Sequence, residues 1–261
     1  MTDLELAERA ARAAAEILVD RFRRPAHGIE SKSSATDMVS DADRAAERAI
    51  AELLRRERPD DGVLGEEGAD AASSSGRRWV VDPLDGTTNF LYGHPAWCVS
   101  VALEDTAGTA VGVIRDPLAD ETFRAARGDG AELNGAAIRV RDHDRLDTAL
   151  VATGFGYEPA VRAAQATVLR DALPQVRDVR RGGSAALDLA WVAAGRLDGY
   201  YERGVKHWDC AAGMLLVTEA GGKVTALAGG PPGIAAAGPR LVEPLAALVG
   251  GAAGSPALAE Q

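Results

Sequence analysis

The stretch Trp79-Val80-Val81-Asp82-Pro83-Leu84-Asp85-Gly86-Thr87-Thr88-Asn89-Phe90 decides how this chain is read. Its first three residues form a short buried strand that delivers Asp82 to its C-terminal end. Pro83 has no N–H to give a ladder, so the spacing predicts a turn there. Asp85 arrives three residues after Asp82, and Gly86 permits a tight backbone path. Thr87-Thr88-Asn89 reads as a helix start with unpaired N–H groups. Carboxylates alone repel a phosphate ester, whereas a helix start attracts one. The conflict disappears if divalent cations sit between the two, and oxygen-only ligands suit Mg²⁺. Taken alone, Asp82-x-x-Asp85-Gly86 favours an ordinary strand-end turn with locally satisfied carboxylates. The full string is more specific, because each position has its own steric or coordination role.

Upstream, residues 4–22 carry Ala, Leu and Ile at helical spacing, closed by Pro25. A second helix is expected near Ser40, with Asp43 at capping-box spacing, and Pro59-Asp60-Asp61-Gly62 breaks it. A short strand, Val63-Leu64-Gly65, leads to Glu66 and Glu67, and residues 68–78 read as a mobile polar loop. Downstream, 98–105 and 109–117 are antiparallel strands, and Asn134-Gly135 marks a tight turn within 121–140. From about 148 the pattern alternates: strand 148–154, helix 158–173, strand 176–180, helix 184–196. Tyr200-Tyr201-Glu202 is strand-like, Asp209 to Glu219 is helical, and 223–227 is another strand. A Gly/Pro-rich connection over 228–239 then precedes a last short helix. The fold class is α+β, an antiparallel-rich half followed by an alternating α/β half. With the boundary near 140–147, the division is 1–143, carrying most of the acidic candidates, and 144–261, carrying Asp209.

The 261 residues hold 29 Lys and Arg against 39 Asp and Glu, for a net charge of −10, with 46% hydrophobic residues. That is enough chain for a sizeable core. The acidic balance argues against direct nucleic-acid binding and against adhesion to anionic membranes. No apolar run approaches the ~18 residues of a spanning helix, and the first residues lack a signal-peptide pattern. A cytoplasmic protein is expected. The two cysteines, Cys98 and Cys210, exclude a disulfide framework. Neither has an arginine six residues later, as a cysteine phosphatase needs, and both read as small buried hydrophobes. The histidines at 27, 94, 143 and 207 lack zinc-ligand spacing. No G-x-x-x-x-G-K-[ST] loop is present, and Ser73–Ser75 have no partners for a nucleophilic triad.

Beyond Asp82 and Asp85, two segments supply candidate ligands. Glu66 follows a strand end, and Asp209 stands at the front of a helix, where an N-cap is the ordinary reading. One carboxylate oxygen can cap while the other binds a cation. Asp37, Asp41 and Asp43 lie close together, and capping already explains Asp43.

With Gly65-Glu66-Glu67, Asp82 through Phe90, and Trp208-Asp209-Cys210-Ala211-Ala212-Gly213 before Glu219-Ala220-Gly221-Gly222, the chain resembles the inositol monophosphatase family. Lys32-Ser33-Ser34 with Asp37-Met38-Val39-Ser40, Gly183-Ser184-Ala185-Ala186 and Tyr200-Tyr201-Glu202 support the match. The motifs run in family order from about 30 to 225 and look most like bacterial inositol-1-monophosphatases. The resemblance implies a layered α-β-α-β-α sandwich of the inositol monophosphatase and fructose-1,6-bisphosphatase type, commonly a homodimer. It implies two or three Mg²⁺ ions held by Glu66, Asp82, the Leu84 carbonyl, Asp85 and Asp209, and inhibition by lithium. A metal-activated water, helped by Glu66 and Thr87, would attack phosphorus, with no covalent phosphoenzyme. Gly86 and Thr87 N–H groups would hold the phosphate, while Asp85, the backbone near Ala185, and Glu202 would read the polyol. Lys32 would lie near the metals, or equally be an exposed loop lysine.

The function so implied is hydrolysis of myo-inositol 1-phosphate and related polyol phosphates. Fructose 1,6-bisphosphate, histidinol phosphate and 3′-phosphoadenosine 5′-phosphate are the alternatives within the fold. Thr88-Asn89 resembles the inositol branch, since histidinol phosphatases tend to carry Lys-Ser there. Some bacterial members also join RNA polymerase-associated antitermination assemblies, which makes a regulatory binding protein the rival of another class.

Overall fold

The computed structural model describes residues 1–24, 27–31, 38–229 and 231–250. Pro25, Lys32-Ser33-Ser34 and Asp37 lie outside the described residues. Helix α1 (Asp3–Arg21) opens with a capping box: Glu5 N–H donates to Thr2 Oγ1, and Thr2 N–H donates to the Glu5 carboxylate at 2.7 Å. Its Leu6, Ala7, Ala10, Ala11, Ala14, Ala15 and Leu18 recur at three-to-four-residue spacing and are buried. A two-stranded ladder of β1 (Glu30–Ser31) and β2 (Met38–Val39) precedes α2 (Asp41–Glu57), which packs beside α1. Ser40 caps α2, and Asp43 completes the box by accepting the Ser40 N–H at 3.0 Å.

The chain then lays down β3 (Gly62–Gly65), β4 (Asp70–Ala71), β5 (Arg78–Asp85), α3 (Thr87–Leu91), β6 (Cys98–Asp105), β7 (Gly108–Asp116), β8 (Glu121–Ala126), β9 (Gly130–Leu133) and β10 (Ala136–Ala137). These strands form one sheet in the order β10-β9-β8-β7-β6-β5-β3-β4, antiparallel except for the β3–β5 pair. Asn134 and Gly135 both have positive φ in the β9–β10 turn, as their dipeptide signalled. The polar stretch 68–78 is not structureless. Asp70–Ala71 pair with Val63–Leu64, and Ser75 Oγ donates to Asp61 at 2.7 Å. A two-residue edge strand is too short to leave a periodic signal.

After β10 come β11 (Leu150–Thr153), α4 (Pro159–Ala172), β12 (Asp178–Arg180), α5 (Ala185–Ala193), β13 (Gly199–Arg203), α6 (His207–Glu219), β14 (Lys223–Ala226), β15 (Gly233–Ala237) and α7 (Val242–Val249). The second sheet runs β12-β11-β13-β15-β14, with β11 parallel to β12 and β13, and β15 antiparallel to its neighbours. Here the structure departs from the sequence reading, because 228–239 is more than a connection. Gly233-Ile234-Ala235-Ala236-Ala237 is a fully buried strand between β13 and β14. Three alanines carry little intrinsic strand preference, so pairing on both edges makes the strand.

The layers follow from packing. α1 and α2 cover one face of the first sheet, and α5 and α6 lie between the two sheets. α7, with α4 against it, covers the far face of the second sheet. The result is an α-β-α-β-α sandwich of α+β class. Its central core joins Val80, Ile114 and Phe123 of the first sheet to Leu187, Leu189, Leu216, Tyr200 and Ile234.

Candidate active site

An irregularity in β5 builds the site. Asp82 pairs with Ser100, and Asp85 with Cys98, so three steps on β5 match two on β6. In a regular strand, residues three apart point to opposite faces. The extra residue of this bulge brings Asp82 and Asp85 to the same side, and Pro83 sits inside it, where a donor is not needed. The strand therefore continues to Asp85 instead of turning at Pro83. Leu84 N–H donates to Asp82 Oδ1 at 2.9 Å, which fixes the loop between the two carboxylates. Gly86 follows with φ +98°, and a Cβ there would meet Ala96 O at 2.9 Å, so only glycine fits.

Around this strand end is a cavity of about 430 Å³. Glu66 enters it from the end of β3, and Asp82, Leu84 and Asp85 from β5. Gly86 and Thr87 come from the start of α3, Ser184 and Ala185 from that of α5, Glu202 from β13, and Asp209 from α6. Glu66, Asp82, Leu84, Asp85, Gly86, Thr87, Ala185, Glu202 and Asp209 thus share one cavity. Glu67 is outside its lining. His207 is too, and its Nε2 pairs with Glu104 Oε1 at 2.7 Å.

Each side chain is held by its own partners. Asp85 Oδ2 accepts the Ser184 hydroxyl and the Ala186 N–H, both at 2.7 Å. Thr87 Oγ1 lies 3.0 Å from Asp43 Oδ1 and 3.1 Å from the Leu84 carbonyl, so its single proton can be donated to the Asp43 carboxylate, the stronger acceptor. Asp43 therefore does more than cap α2, because its fully buried carboxylate also orients Thr87. Asp209 is not the N-cap of α6. The helix begins two residues earlier, and Asp209 Oδ2 accepts the Lys206 N–H at 3.0 Å from the third position. Its Oδ1 is outside that bond. Glu202 Oε2 accepts the Tyr200 hydroxyl at 2.7 Å. Asn89 donates to Ala96 O at 2.6 Å and Gly182 O at 2.9 Å, tying α3 to the approach to α5.

The electrostatics are those of crowded, buried carboxylates. Burial, then the charges of Glu66, Asp85 and Asp209, push Asp82 well above the usual carboxylate range. Burial raises Asp85 to about 7 against the bonds from Ser184 and Ala186, with Glu66 and Glu202 adding repulsion. Asp209 is driven well up by burial and by Asp85 and Glu66, against the Lys206 N–H. Burial also raises Glu202, opposed by the Tyr200 hydroxyl and the Arg181 charge. Burial pushes both thiols up, and Cys98 is further raised by Asp85, so neither cysteine is poised as a nucleophile.

Among the described residues, no three His, Cys, Asp or Glu side chains converge as a ready-made metal cage. The donor set nevertheless fits hard divalent cations. It is all oxygen, and Asp85 and Asp209 each commit one oxygen to a protein hydrogen bond and leave the other outside it. The surplus negative charge in a buried place is what a bound cation offsets.

Sequence reasoning passed over two carboxylates that shape the site. Glu47, 5% exposed, accepts the N–H groups of Glu67 at 2.7 Å and Ala69 at 2.8 Å, and so fixes the segment carrying Glu66. The signal was an acidic residue on the buried Asp43-Glu47-Ile50-Leu54 stripe of α2. Asp188, on α5, lines the cavity and is buried. Its signal was a lone charge inside Ala185-Ala186-Leu187-Asp188-Leu189-Ala190.

The five-layered α-β-α-β-α fold is matched by known proteins. A family model described as the inositol monophosphatase family matches residues 2–259, and the chain belongs to that family. It is 42% identical over 223 residues to the Nus factor SuhB of Haemophilus influenzae, covering 85% of this chain and 84% of that protein. It is 47% identical over 205 residues to an inositol-1-monophosphatase of Mycobacterium bovis, covering 75% and 71%. The crystal structure of the extragenic suppressor protein SuhB from Bartonella henselae superposes with a TM-score of 0.88 at 40% identity, covering 94% of this chain and 97% of that one. The family and the mycobacterial relative support a phosphatase.

Proposed function

We propose that the chain is a Mg²⁺-dependent phosphomonoesterase that hydrolyses myo-inositol 1-phosphate and related polyol phosphates to the alcohol and phosphate. The observation that carries this reading is the gathering of Glu66, Asp82, Asp85 and Asp209, from three separate elements, around one cavity that Glu202 also lines. Glu66, Asp82, the Leu84 carbonyl, Asp85 and Asp209 would hold two or three Mg²⁺ ions. The chemistry divalent ions supply when bound is a more acidic water and neutralisation of charge on the leaving oxygen.

The chain's own groups do the rest. With its proton directed to Asp43, the Thr87 hydroxyl turns lone pairs elsewhere and accepts a hydrogen bond from the attacking water. Glu66 takes up the proton that water loses. The Gly86 and Thr87 N–H groups hold phosphate oxygens at the start of α3. Asp85, the backbone near Ala185, and Glu202 accept or donate hydrogen bonds to the polyol. A homodimer in the cytoplasm, inhibited by lithium, belongs to the same reading. Among the described residues, no helix is long and apolar enough to cross a membrane.

The test is phosphate release by purified protein from inositol 1-phosphate, fructose 1,6-bisphosphate, histidinol phosphate and 3′-phosphoadenosine 5′-phosphate. Inositol 1-phosphate should lead, and Asp85→Asn should lower kcat/KM by more than the roughly 10–100-fold typical of outer metal-site partners. Full activity in Asp85→Asn would sink the proposal. Preference for another ester would keep the chemistry and change the substrate. A second reading, a regulatory transcription-associated binding protein, is favoured by the identity to a protein named a Nus factor. No release from any ester, together with stable capture of purified transcription proteins, would put it first.

A further inference from the structure

Asp188 sits in the first turns of α5, between the core residues Leu187 and Leu189, with 1% of its surface exposed. It lines the same cavity as Asp85, Ser184 and Glu202. Among the described residues its buried Oδ1 has no hydrogen-bond partner, whereas Asp85 Oδ2 has two and Glu202 Oε2 has one. The backbone makes room for it: a Cβ on Gly182 would lie 2.8 Å from Asp188 Oδ1. Leaving a buried carboxyl oxygen unsatisfied is costly, and packing gains nothing from it where leucine would serve. A partner that arrives with the ligand removes the cost.

We propose that Asp188 is a specificity-determining residue, whose carboxyl accepts a hydrogen bond from a hydroxyl of the substrate's polyol beside Glu202. The inference rests on reading the cavity as a polyol phosphate site. It adds a group that takes no part in the phosphoryl chemistry. Burial and the charges of Glu202 and Asp85 hold Asp188 well above the usual carboxylate range, and Arg181 opposes them. Protonated or ionised, the carboxyl keeps an oxygen that can accept. A polyol supplies hydroxyl donors, and a phosphate ester without hydroxyls does not.

The experiment compares the wild-type protein with Asp188→Leu and Asp188→Asn on two esters in Mg²⁺, inositol 1-phosphate and p-nitrophenyl phosphate. Asp188→Leu should raise KM for inositol 1-phosphate about tenfold, with kcat within about twofold. Its kcat/KM for p-nitrophenyl phosphate should stay within about twofold. Asp188→Asn keeps an accepting oxygen and should restore the polyol KM. Should Asp188→Leu fail to fold by circular dichroism, Asp188→Ala takes its place. Equal losses on both esters, or an unchanged polyol KM, overturn the proposal. Failure of the underlying reading shows separately, as wild-type protein that releases no phosphate from inositol 1-phosphate, and that result overturns both.

Discussion

At the residue scale, the site is defined by carboxylates that the fold holds together against their own repulsion. Asp188 shows the cost most plainly, since nothing among the described residues pairs with its Oδ1. Its pKa is raised in the folded state. Its contribution to stability is therefore complete below its unfolded value of roughly 4 and is lost as pH rises through the higher folded value. Asp188→Asn removes the charge, so the metal-free variant should be more stable than wild type at pH 7–8. The gap should close as pH falls towards 4. Denaturant titrations at several pH values check this, and a pH-independent difference would contradict it. Asp82 and Asp85 were legible as a closely spaced pair and Gly86 as a tight backbone path, but the bulge inside β5 that brings the two carboxylates to one side was not. Thr87's contact with Asp43 was not, because it joins residues 44 apart in the chain.

At the element scale, three devices place the donors: the β5 bulge, the capped starts of α5 and α6, and the anchoring of the Glu66 segment to α2. Glu47 makes that anchor with two hydrogen bonds to backbone N–H groups. Glu47→Ala should leave both donors unsatisfied and cost about 2–5 kcal/mol, with Glu47→Gln, which keeps one acceptor, in between. It should also lower kcat/KM well beyond what lost folded protein explains, because Glu66 is displaced. Urea denaturation and kinetics on the folded fraction separate the two effects, and unchanged kinetics would show that Glu66 is held by something else. Most elements were readable from periodicity, capping boxes and the Asn134-Gly135 turn. β15 was not, since Gly and Ala acquire strand geometry from their neighbours. The start of α6 was missed because Lys206 is an unusual N-cap and Asp209 caps from inside the helix.

At the scale of the whole molecule, α5 and α6 are shared between two sheets, and the cavity opens where elements of both meet. On the proposed reading, a cation held by Glu66, Asp82 and Asp85 on one side and Asp209 on the other would fasten elements of the two sheets together. Ligands that bind only the folded state stabilise it by mass action, ~2.7 kcal/mol at 100 times Kd. Adding Mg²⁺ to chelator-treated protein should therefore raise the unfolding temperature. The rise should shrink in Asp209→Asn, and scanning calorimetry would show a Mg²⁺-independent transition if the site holds no cation. The layering itself follows from burial of the two central helices on both faces, which single-strand patterns suggest only indirectly. The family motifs carried that part of the expectation.

The most direct measurement is phosphate release from inositol 1-phosphate by one protein sample, first in Mg²⁺, then in excess chelator, then with Mg²⁺ restored. The carboxylate cluster predicts release that stops on chelation and returns with the ion. Release that continues unchanged in the chelator would contradict it.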